Sequence, residues 1–180
     1  MNTYVVLLRG INVGGKNKLP MADLKRCLEE LGFSDVVTYT ASGNVILKSH
    51  KSTQEIRHLI EEALPTYFQL DSELIRVLVL TKEQLQHVAT SKPKGFGERP
   101  DTYHSDVIFL MDVEPSEAIQ VFKSREGVDT VWQGDAVIYS QRLSSMRTKS
   151  RLNTIMITPL YKSMTIRSWN TTAKLLELLN

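Results

Sequence analysis

The 180-residue chain has one cysteine and no long apolar run, and these shortages exclude several classes of protein. Cys27 alone cannot form an intramolecular disulfide, and its place on the apolar face of a predicted helix favours a small buried side chain over a reactive thiol. No apolar run approaches the ~20 residues that span a bilayer, and the N-terminus lacks the basic region and cleavage site of a signal peptide. We therefore expect a cytoplasmic protein with no membrane partner.

Residue patterns typical of catalytic and metal sites are also scarce. The histidines at positions 50, 58, 87 and 104 lie on different predicted elements, and none has metal-ligand spacing with a cysteine or carboxylate. The chain has no Gly-x-Ser-x-Gly nucleophile motif and no close pair of carboxylates within a motif. The sequence therefore predicts no metal and no cofactor, and it leaves open whether the protein is an enzyme.

Acidic residues are missing from one long segment, although the net charge of the whole chain is only +2. Residues 101–135 carry eight acids and two bases, whereas residues 142–174 carry seven bases and no acid. The bases are Arg142, Arg147, Lys149, Arg151, Lys162, Arg167 and Lys174. Such a segment suits an anionic partner, although a solvated surface is the more common explanation of a charge run.

The apolar pattern of residues 1–80 predicts the order β-α-β-β-α-β, which is typical of a ferredoxin-like unit. A hairpin signal centres on Gly43, and Ser52 with Glu55 forms a capping box for the second helix. The predicted elements are a strand at 4–9, a helix from Pro20 to Leu31, strands at 36–41 and 45–48, a helix from Ser52 and a strand at 74–80. A short helix capped by Thr81 and Gln84 and a long loop at 91–103 follow.

The same order recurs in the second half, without clear identity between residues. The predicted elements are a strand at 107–111, a helix from Pro115, strands at 128–132 and 136–141, a helix through Leu152, Ile155 and Met156, and a strand at 165–169. A last helix, capped by Asn170 or Thr171, ends the chain, and Trp169 before it is expected in the core. We therefore predict an α+β fold of two ferredoxin-like subdomains in pseudo-duplication. The predicted divisions are 1–80, a connecting helix and loop at 81–103, and 104–180 with the C-terminal helix.

Three separated motifs carry a resemblance to a known family. They are Arg-Gly-Ile-Asn-Val-Gly-Gly at 9–15, Thr-Tyr-Thr-Ala-Ser-Gly-Asn-Val at 38–45 and Thr-Ile-Arg-Ser-Trp-Asn-Thr-Thr-Ala-Lys-Leu at 165–175. Together they resemble domain of unknown function family 1697, a bacterial family of small cytoplasmic proteins. The resemblance implies two similar α+β subdomains and brings no activity. Ser168 stands where the family pattern usually has asparagine.

The first motif opens a glycine-rich loop that could bind an anion. Its candidate ligand-binding residues are Arg9, Gly10, Asn12, Gly14, Gly15 and Lys16. Gly10, Gly15 and Lys16 fit the phosphate-binding loop G-x-x-x-x-G-K, but Asn17 replaces the serine or threonine that holds magnesium, which disfavours an ATPase. The alternative is an architectural loop in which Asn12 bonds backbone. We expect this loop and the Gly43 hairpin at opposite ends of the sheet.

The basic segment supplies the other candidate ligand-binding residues: Arg147, Lys149 and Arg151. Within it, Ser144, Ser145, Thr148 and Ser150 alternate with basic residues before a predicted helix, a combination suited to phosphate binding. The third strand has no aromatic residue and the second half offers only Tyr139 in the equivalent place, so base stacking is disfavoured. A mobile, solvated loop is the alternative.

These patterns predict a binding module for an anionic ligand, either a phosphorylated metabolite or the nucleic-acid backbone, with the 91–103 loop as a lid. One alternative is an enzyme acting on a phosphorylated or nucleotide substrate. Another is a protein interaction module that uses the acidic and basic segments. A monomer is favoured over an oligomer.

Overall fold

The computed structural model describes residues 1–71 and 75–180, which divide into two compact units. Unit 1 consists of residues 1–86 and 175–180, and unit 2 consists of residues 87–174. Each unit contains one four-stranded antiparallel sheet. The fold is therefore α+β with two pseudo-duplicated ferredoxin-like subdomains and a C-terminal helix, as the sequence predicts. In the described part of the chain, no helix is long and apolar enough to cross a membrane.

Unit 1 has the complete β-α-β-β-α-β order. Its elements are β1 (Asn2–Arg9), α1 (Met21–Glu30), β2 (Ser34–Tyr39), β3 (Asn44–Ser49), α2 (Thr53–Tyr67) and β4 (Arg76–Thr81). The strands are ordered β2-β3-β1-β4, the arrangement of a ferredoxin-like sheet. The predicted fourth strand begins at Leu74, which lies outside the described residues.

Two α-helices cover one face of the unit 1 sheet. Alternate residues Tyr4, Val6 and Leu8 of β1 point into a core that includes Leu28 of α1 and Ile60 of α2. The predicted capping box starts α2, because the backbone N–H of Glu55 donates to Ser52 and the Glu55 carboxylate accepts from the backbone N–H of Ser52. The sheet face is thus closed by about three turns of α1 and about four turns of α2, as lengths of 10 and 15 residues imply.

Cys27 lies on the buried side of α1, as the helical spacing predicts. Its side chain is 1% exposed. Burial, with a smaller contribution from Glu30, raises the pKa of the Cys27 thiol from 9.0 to about 11. A thiol with this pKa is protonated at neutral pH, so Cys27 acts as a packing residue.

Unit 2 repeats the strand order but not the second helix. A helix, α3 (Lys82–Thr90), contains the point in the chain where unit 1 ends and unit 2 begins. The elements that follow it are β5 (Tyr103–Leu110), α4 (Pro115–Ala118), β6 (Asp129–Gln133), β7 (Val137–Leu143), β8 (Met164–Ser168) and α5 (Trp169–Leu178). The sheet order is β6-β7-β5-β8. Between β7 and β8 the chain forms three 3₁₀ segments, Ser144–Lys149, Leu152–Ile157 and Pro159–Ser163.

The predicted α-helix through Leu152, Ile155 and Met156 is therefore wrong. Pro159 forces the preceding residue, Thr158, into extended backbone with ψ of 150°, and Ser150 is also extended with ψ of 146°. Only seven residues lie between these two positions, fewer than two turns of α-helix. The spacing of the apolar residues was helical, but the segment is too short to form more than 3₁₀ turns.

The predicted cap of the last helix is two or three residues too late. The Ser168 hydroxyl accepts from the backbone N–H of Thr171 at 3.2 Å, so Ser168 and not Asn170 or Thr171 caps α5. Trp169 begins the helix and packs edge-to-face on Phe96, with ring centroids 5.6 Å apart. Serine and asparagine are both favoured N-cap residues. Ser168 can therefore cap α5 although the family pattern usually has asparagine at this position.

Candidate anion-binding surface

The tip of the glycine-rich loop is a tight turn of the hairpin type. The backbone N–H of Lys16 donates to the carbonyl of Val13 at 3.0 Å, and Gly14 and Gly15 between them have φ of +58° and +74°. Two successive residues with positive φ are characteristic of a type I′ turn, for which glycine is favoured. The turn projects into solvent, so the loop does not form a phosphate cradle at a helix N-terminus.

Two asparagine side chains fix the base of this loop. The Asn12 amide donates to the carbonyls of Leu19 and Ala41 at 3.0 and 2.8 Å, and its oxygen accepts from the backbone N–H of Leu19 at 2.7 Å. Asn17 is buried and donates to the Gly10 carbonyl at 2.9 Å. The hydrogen bonds of Asn12 thus match a structural role, because its side-chain amide binds backbone groups of two neighbouring segments.

The loop and the Gly43 hairpin lie at the same end of the unit 1 sheet, so the predicted separation is wrong. The backbone N–H of Leu8 donates to the Gly43 carbonyl at 2.8 Å. A Cβ added at Gly43 would lie 2.7 Å from Cδ1 of Ile11. The reason is the antiparallel pairing of β1 with β3, which places the end of one strand beside the start of the other. The first two family motifs therefore pack on each other.

The remaining predicted ligand-binding residues of the loop differ in exposure. Arg9 and Gly10 are half-buried, whereas Gly14, Gly15 and Lys16 are exposed. Within residues 1–71 and 75–180, the backbone N–H groups of Gly14 and Gly15 have no hydrogen-bond acceptor. The loop thus combines a fixed base with an accessible cationic tip.

The basic surface of unit 2 consists of Arg147, Lys149 and Arg151, and we use this name for these three residues. All three side chains are exposed. Among the described residues, no carboxylate lies within 4.0 Å of their charged groups. Ser144, Ser145 and Thr148 on the same segment are also exposed. The segment therefore presents three cations and three hydroxyl groups to solvent.

One buried carboxylate, Asp129, fixes this segment without neutralising it. Asp129 is 8% exposed and accepts from the backbone N–H groups of Arg125 at 2.9 Å and Arg151 at 2.8 Å. Its other oxygen accepts from the Ser150 hydroxyl at 2.6 Å. Hydrogen bonds of this kind satisfy a buried carboxylate. The acid therefore positions the chain of the basic surface, and the three cationic side chains have no carboxylate partner within residues 1–71 and 75–180.

The loop at 91–103 is anchored at its centre. Phe96 is fully buried, and its ring packs edge-to-face on Tyr139 with centroids 5.0 Å apart. The backbone N–H of Gly97 donates to Gln141 at 3.1 Å. A lid function was predicted for this loop, and these contacts place its middle in the core of unit 2.

Unit 2 contains two cavities that the sequence analysis missed. The first has a volume of about 120 Å³ and is lined by Gly97, Tyr103, His104, Ser144, Ser168 and Trp169. Next to it, His104 Nε2 lies 3.0 Å from a carboxylate oxygen of Asp106. The second has a volume of about 160 Å³ and lies between the sheet and the 3₁₀ segments. The alternation His104-x-Asp106 on one strand face was the available signal, since it places both side chains on the same side of the sheet.

No metal site accompanies these groups. Within the part of the chain that the structure describes, no cluster of three or more histidine, cysteine, aspartate or glutamate residues could hold a metal ion.

Comparison with known proteins identifies a family and a fold. None of the curated proteins matches the chain. The solved structure of the conserved bacterial protein SP0830 from Streptococcus pneumoniae is similar, with a TM-score of 0.80 and 24% identity over 99% of each chain. At that identity the likeness shows the fold alone. The model of the family described as "Protein of unknown function (DUF1697)" matches residues 1–139, well over half of the chain. The chain therefore belongs to the DUF1697 family.

Proposed function

We propose that this protein is a binding module for a phosphate-bearing anion, either a phosphorylated metabolite or the nucleic-acid backbone. The observation that carries the proposal is the unpaired state of the basic surface (Arg147, Lys149 and Arg151) beside an aspartate that is already occupied. Three clustered cations without carboxylate partners favour a ligand that supplies the missing negative charge.

The chemistry of the segment favours phosphate among anions. A guanidinium group presents N–H donors in a planar fork that matches two phosphate oxygens, and Arg147 and Arg151 supply two such groups. Exposed hydroxyls at Ser144 and Thr148 add neutral donors of the kind found in phosphate sites. Binding through several such charges depends steeply on salt, because counterions are released on association.

The environment of Tyr139 favours backbone recognition over base stacking. Tyr139 is buried, and its hydroxyl donates to the carbonyl of Val88 at 2.6 Å. Burial, with a smaller contribution from Asp135, raises the pKa of Tyr139 to about 12. An aromatic ring held in this way cannot stack on a base, so a nucleic-acid ligand would be held by its phosphates.

The accessible tip of the glycine-rich loop belongs to the proposal as a second anion contact. Lys16 supplies a cation and the N–H groups of Gly14 and Gly15 supply donors without acceptors among the described residues. Arg9, Gly10 and Asn12 lie at the base of the loop, and we assign them to its conformation. Cytoplasmic location, favoured by the sequence, is part of the same proposal.

A second candidate function is catalysis on a phosphorylated or nucleotide substrate. The observation that favours it is the His104–Asp106 pair beside the 120 Å³ cavity, because a histidine oriented by a carboxylate is suited to act as a general base. Ser144 and Ser168 line the same cavity and supply hydroxyl groups. Turnover of a bound ligand would distinguish this function from binding alone.

The test is the thermal stability of the whole protein at low salt with nucleotides, sugar phosphates and short single-stranded oligonucleotides. A ligand at ~100 times its Kd stabilises the folded state by about 2.7 kcal/mol. We expect this gain in the wild type, its decline with added salt, and its loss in R147M/K149M/R151M. The matched control is K25M/R26M/K48M, which removes three charges from residues that already pair with Glu29, Asp23 and Asp35.

The control should keep the ligand response. Equal affinity of the wild type and R147M/K149M/R151M for every stabilising ligand would contradict the assignment of the basic surface. A panel in which no anion stabilises the wild type would overturn the proposed function.

A further inference from the structure

The 160 Å³ cavity of unit 2 has a charged end and an apolar end. Asp106, Ser140 and Arg142 line one end, and Phe122, Tyr161 and Ile166 are among the residues that line the rest. The roof is the Leu152–Ile157 segment, which contributes Ile155 and Met156. The cavity exists because 3₁₀ turns cover this face of the sheet instead of an α-helix.

Arg142 is the unusual group in this cavity. Its Nε atom is buried and makes no hydrogen bond to any residue in the described part of the chain. Among the described residues, no carboxylate lies within 4.0 Å of its guanidinium group. A buried donor on a charged group is costly when it has no partner, so the arrangement favours a ligand that supplies an acceptor.

Both cross-strand neighbours of Arg142 are engaged elsewhere. Asp129 lies directly opposite on β6, but its oxygens bind backbone N–H groups and the Ser150 hydroxyl. His104 lies opposite on β5 and faces Asp106 at 3.0 Å. The sheet thus leaves the guanidinium group available to the cavity.

Asp106 supplies the opposite charge at the same end. Its side chain is only 18% exposed. Asp106 pairs with Ser140 in the strand register, so Arg142 is its diagonal neighbour. Diagonal neighbours are roughly 7–8 Å apart, a distance that a long arginine side chain can span, but no ion pair within 4.0 Å joins Asp106 to Arg142 among the described residues. His104 contacts Oδ1 of Asp106, so the other carboxylate oxygen and the guanidinium group of Arg142 can each meet a counter-charge of one ligand.

We propose that this cavity binds a free α-amino acid with an apolar side chain. The ligand carboxylate pairs with Arg142, and the ligand ammonium group pairs with Asp106. The apolar side chain lies against Phe122, Ile155 and Ile166. This site is independent of the basic surface and does not rest on the proposed phosphate ligand.

The size of the cavity limits the side chain. A cavity of about 150 Å³ with an apolar lining accommodates one benzene ring. Because the 160 Å³ cavity also includes the charged end, it limits the ligand to a side chain no larger than that of leucine or phenylalanine. Glycine and alanine would leave it partly empty, and the two rings of tryptophan would overfill it.

The experiment titrates the ¹⁵N-labelled whole protein with phenylalanine, 3-phenylpropionate and phenethylamine while amide chemical shifts are recorded. The three probes share a phenyl group, and each analogue lacks one of the two charges. We expect phenylalanine to shift the amide signals of residues around Phe122, Ile155 and Ile166. Each analogue should bind at least about tenfold more weakly than phenylalanine, since each lacks one charge-assisted pair. Leucine should bind within tenfold of phenylalanine, and alanine more weakly.

Variants assign the two charged contacts. R142M and D106N should each weaken phenylalanine binding about tenfold or more, whereas R147M, which lies on the basic surface, should not change it. Because Asp106 also contacts His104, the spectrum of D106N must show the dispersion of the wild type before its affinity is compared. The analogue series on the wild type tests the same pairing without any substitution.

Two results would overturn the proposal. One is 3-phenylpropionate binding as tightly as phenylalanine, which would remove the role of Asp106. The other is an absence of shifts in the residues that line the cavity when phenylalanine reaches millimolar concentration. Retained phosphate binding by R142M would at the same time show that the two sites are separate.

Discussion

The two units share a strand order but differ in how one sheet face is covered. In unit 1 the 10-residue helix α1 and the 15-residue helix α2 lie over the sheet and bury a large apolar cluster. In unit 2 the four-residue helix α4 and the 3₁₀ segments occupy the corresponding positions. One buried apolar cluster of unit 2 includes Ile108, Ile138 and Met164, and partly buried side chains such as Phe122 and Tyr161 pack against it. The sheet face that two long helices cover in unit 1 is thus covered by short helical turns in unit 2.

The difference affects how completely the helical segments of unit 2 cover its sheet. Short turns pack less completely on a sheet than a long amphipathic helix, since they present fewer side chains at a common face. The Leu152–Ile157 segment leaves the 160 Å³ cavity below it and exposes Ile157 to 90%. In unit 1, Asn12 and Gly43 hold segments together, and the proposed anion contact is confined to the exposed tip of the glycine-rich loop. Resemblance in strand order therefore does not imply equivalence of sites.

The largest expected effect compares core truncations in the two units. We expect Ile60→Ala in α2 to destabilise unit 1 by about 4 kcal/mol, because Ile60 is fully enclosed. Ile155→Ala should cost unit 2 only about 2 kcal/mol, because one side of Ile155 already borders the cavity. Both losses of stability are measured by urea denaturation, with the unfolding of each unit monitored by hydrogen–deuterium exchange of its peptides. Equal losses would contradict the difference in packing, and Ile→Val at each position serves as the mild control.

A smaller effect tests whether the packing of Gly43 on the glycine-rich loop is tight. Gly43 and Gly32 both have φ of +90°, but an added Cβ meets Leu8 and Ile11 within 2.8 Å at Gly43 and nothing within 4 Å at Gly32. Gly32→Ala should therefore cost about 1 kcal/mol of backbone strain, whereas Gly43→Ala should cost about 3 kcal/mol. Chemical denaturation monitored by far-UV circular dichroism measures the two. The same loss in both variants would mean that φ alone matters at Gly43.

The smallest effect is a loss of stability at alkaline pH, at a different pH in each unit. The pKa of Cys27 is raised from 9.0 to about 11 in unit 1, and that of Tyr139 from 10.0 to about 12 in unit 2. Each raised pKa means that the folded state keeps a proton which the unfolded state has lost. Stability is therefore complete below the unfolded pKa and falls by about 1.4 kcal/mol per pH unit as pH rises toward the folded pKa.

The expected total is at most about 2.7 kcal/mol for each group, starting near pH 9 for Cys27 and near pH 10 for Tyr139. Both tryptophans lie in unit 2, so their fluorescence reports the Tyr139 effect during urea denaturation at several pH values. Cys27→Ala and Tyr139→Phe should each flatten the corresponding slope. A slope that survives its substitution would assign the pH dependence to other groups.

Much of the fold follows from local sequence patterns. The capping boxes at Ser52 with Glu55 and at Thr81 with Gln84 form as predicted, because their donors and acceptors are only three residues apart. The burial of Cys27 follows from helical spacing. The cap at Ser168 was misplaced because several neighbouring residues are good caps, and only the backbone of the preceding strand selects one.

The candidate sites were less predictable, because they depend on contacts between distant residues. The charge segregation that marks Arg147, Lys149 and Arg151 is visible in the sequence. The sequence does not show that Ser150 and Arg151, 21 and 22 residues further along the chain, bind Asp129. Nor does it show that Arg142 Nε has no hydrogen-bond partner among the described residues, because Asp129 and His104 on the neighbouring strands are bound elsewhere.

The sequence by itself determined the order of the strands and of the unit 1 helices, the α+β class, the repeated unit and the family. These depend on residue periodicity and on turn and cap chemistry over a few neighbouring positions. Only the tertiary structure decided that the Gly43 hairpin packs on the glycine-rich loop, that 3₁₀ turns replace a helix over the unit 2 sheet, and that a cavity with Asp106 and Arg142 results. The physical reason is that strand pairing joins residues far apart in the chain, and the choice of partner for each polar group is settled by that pairing.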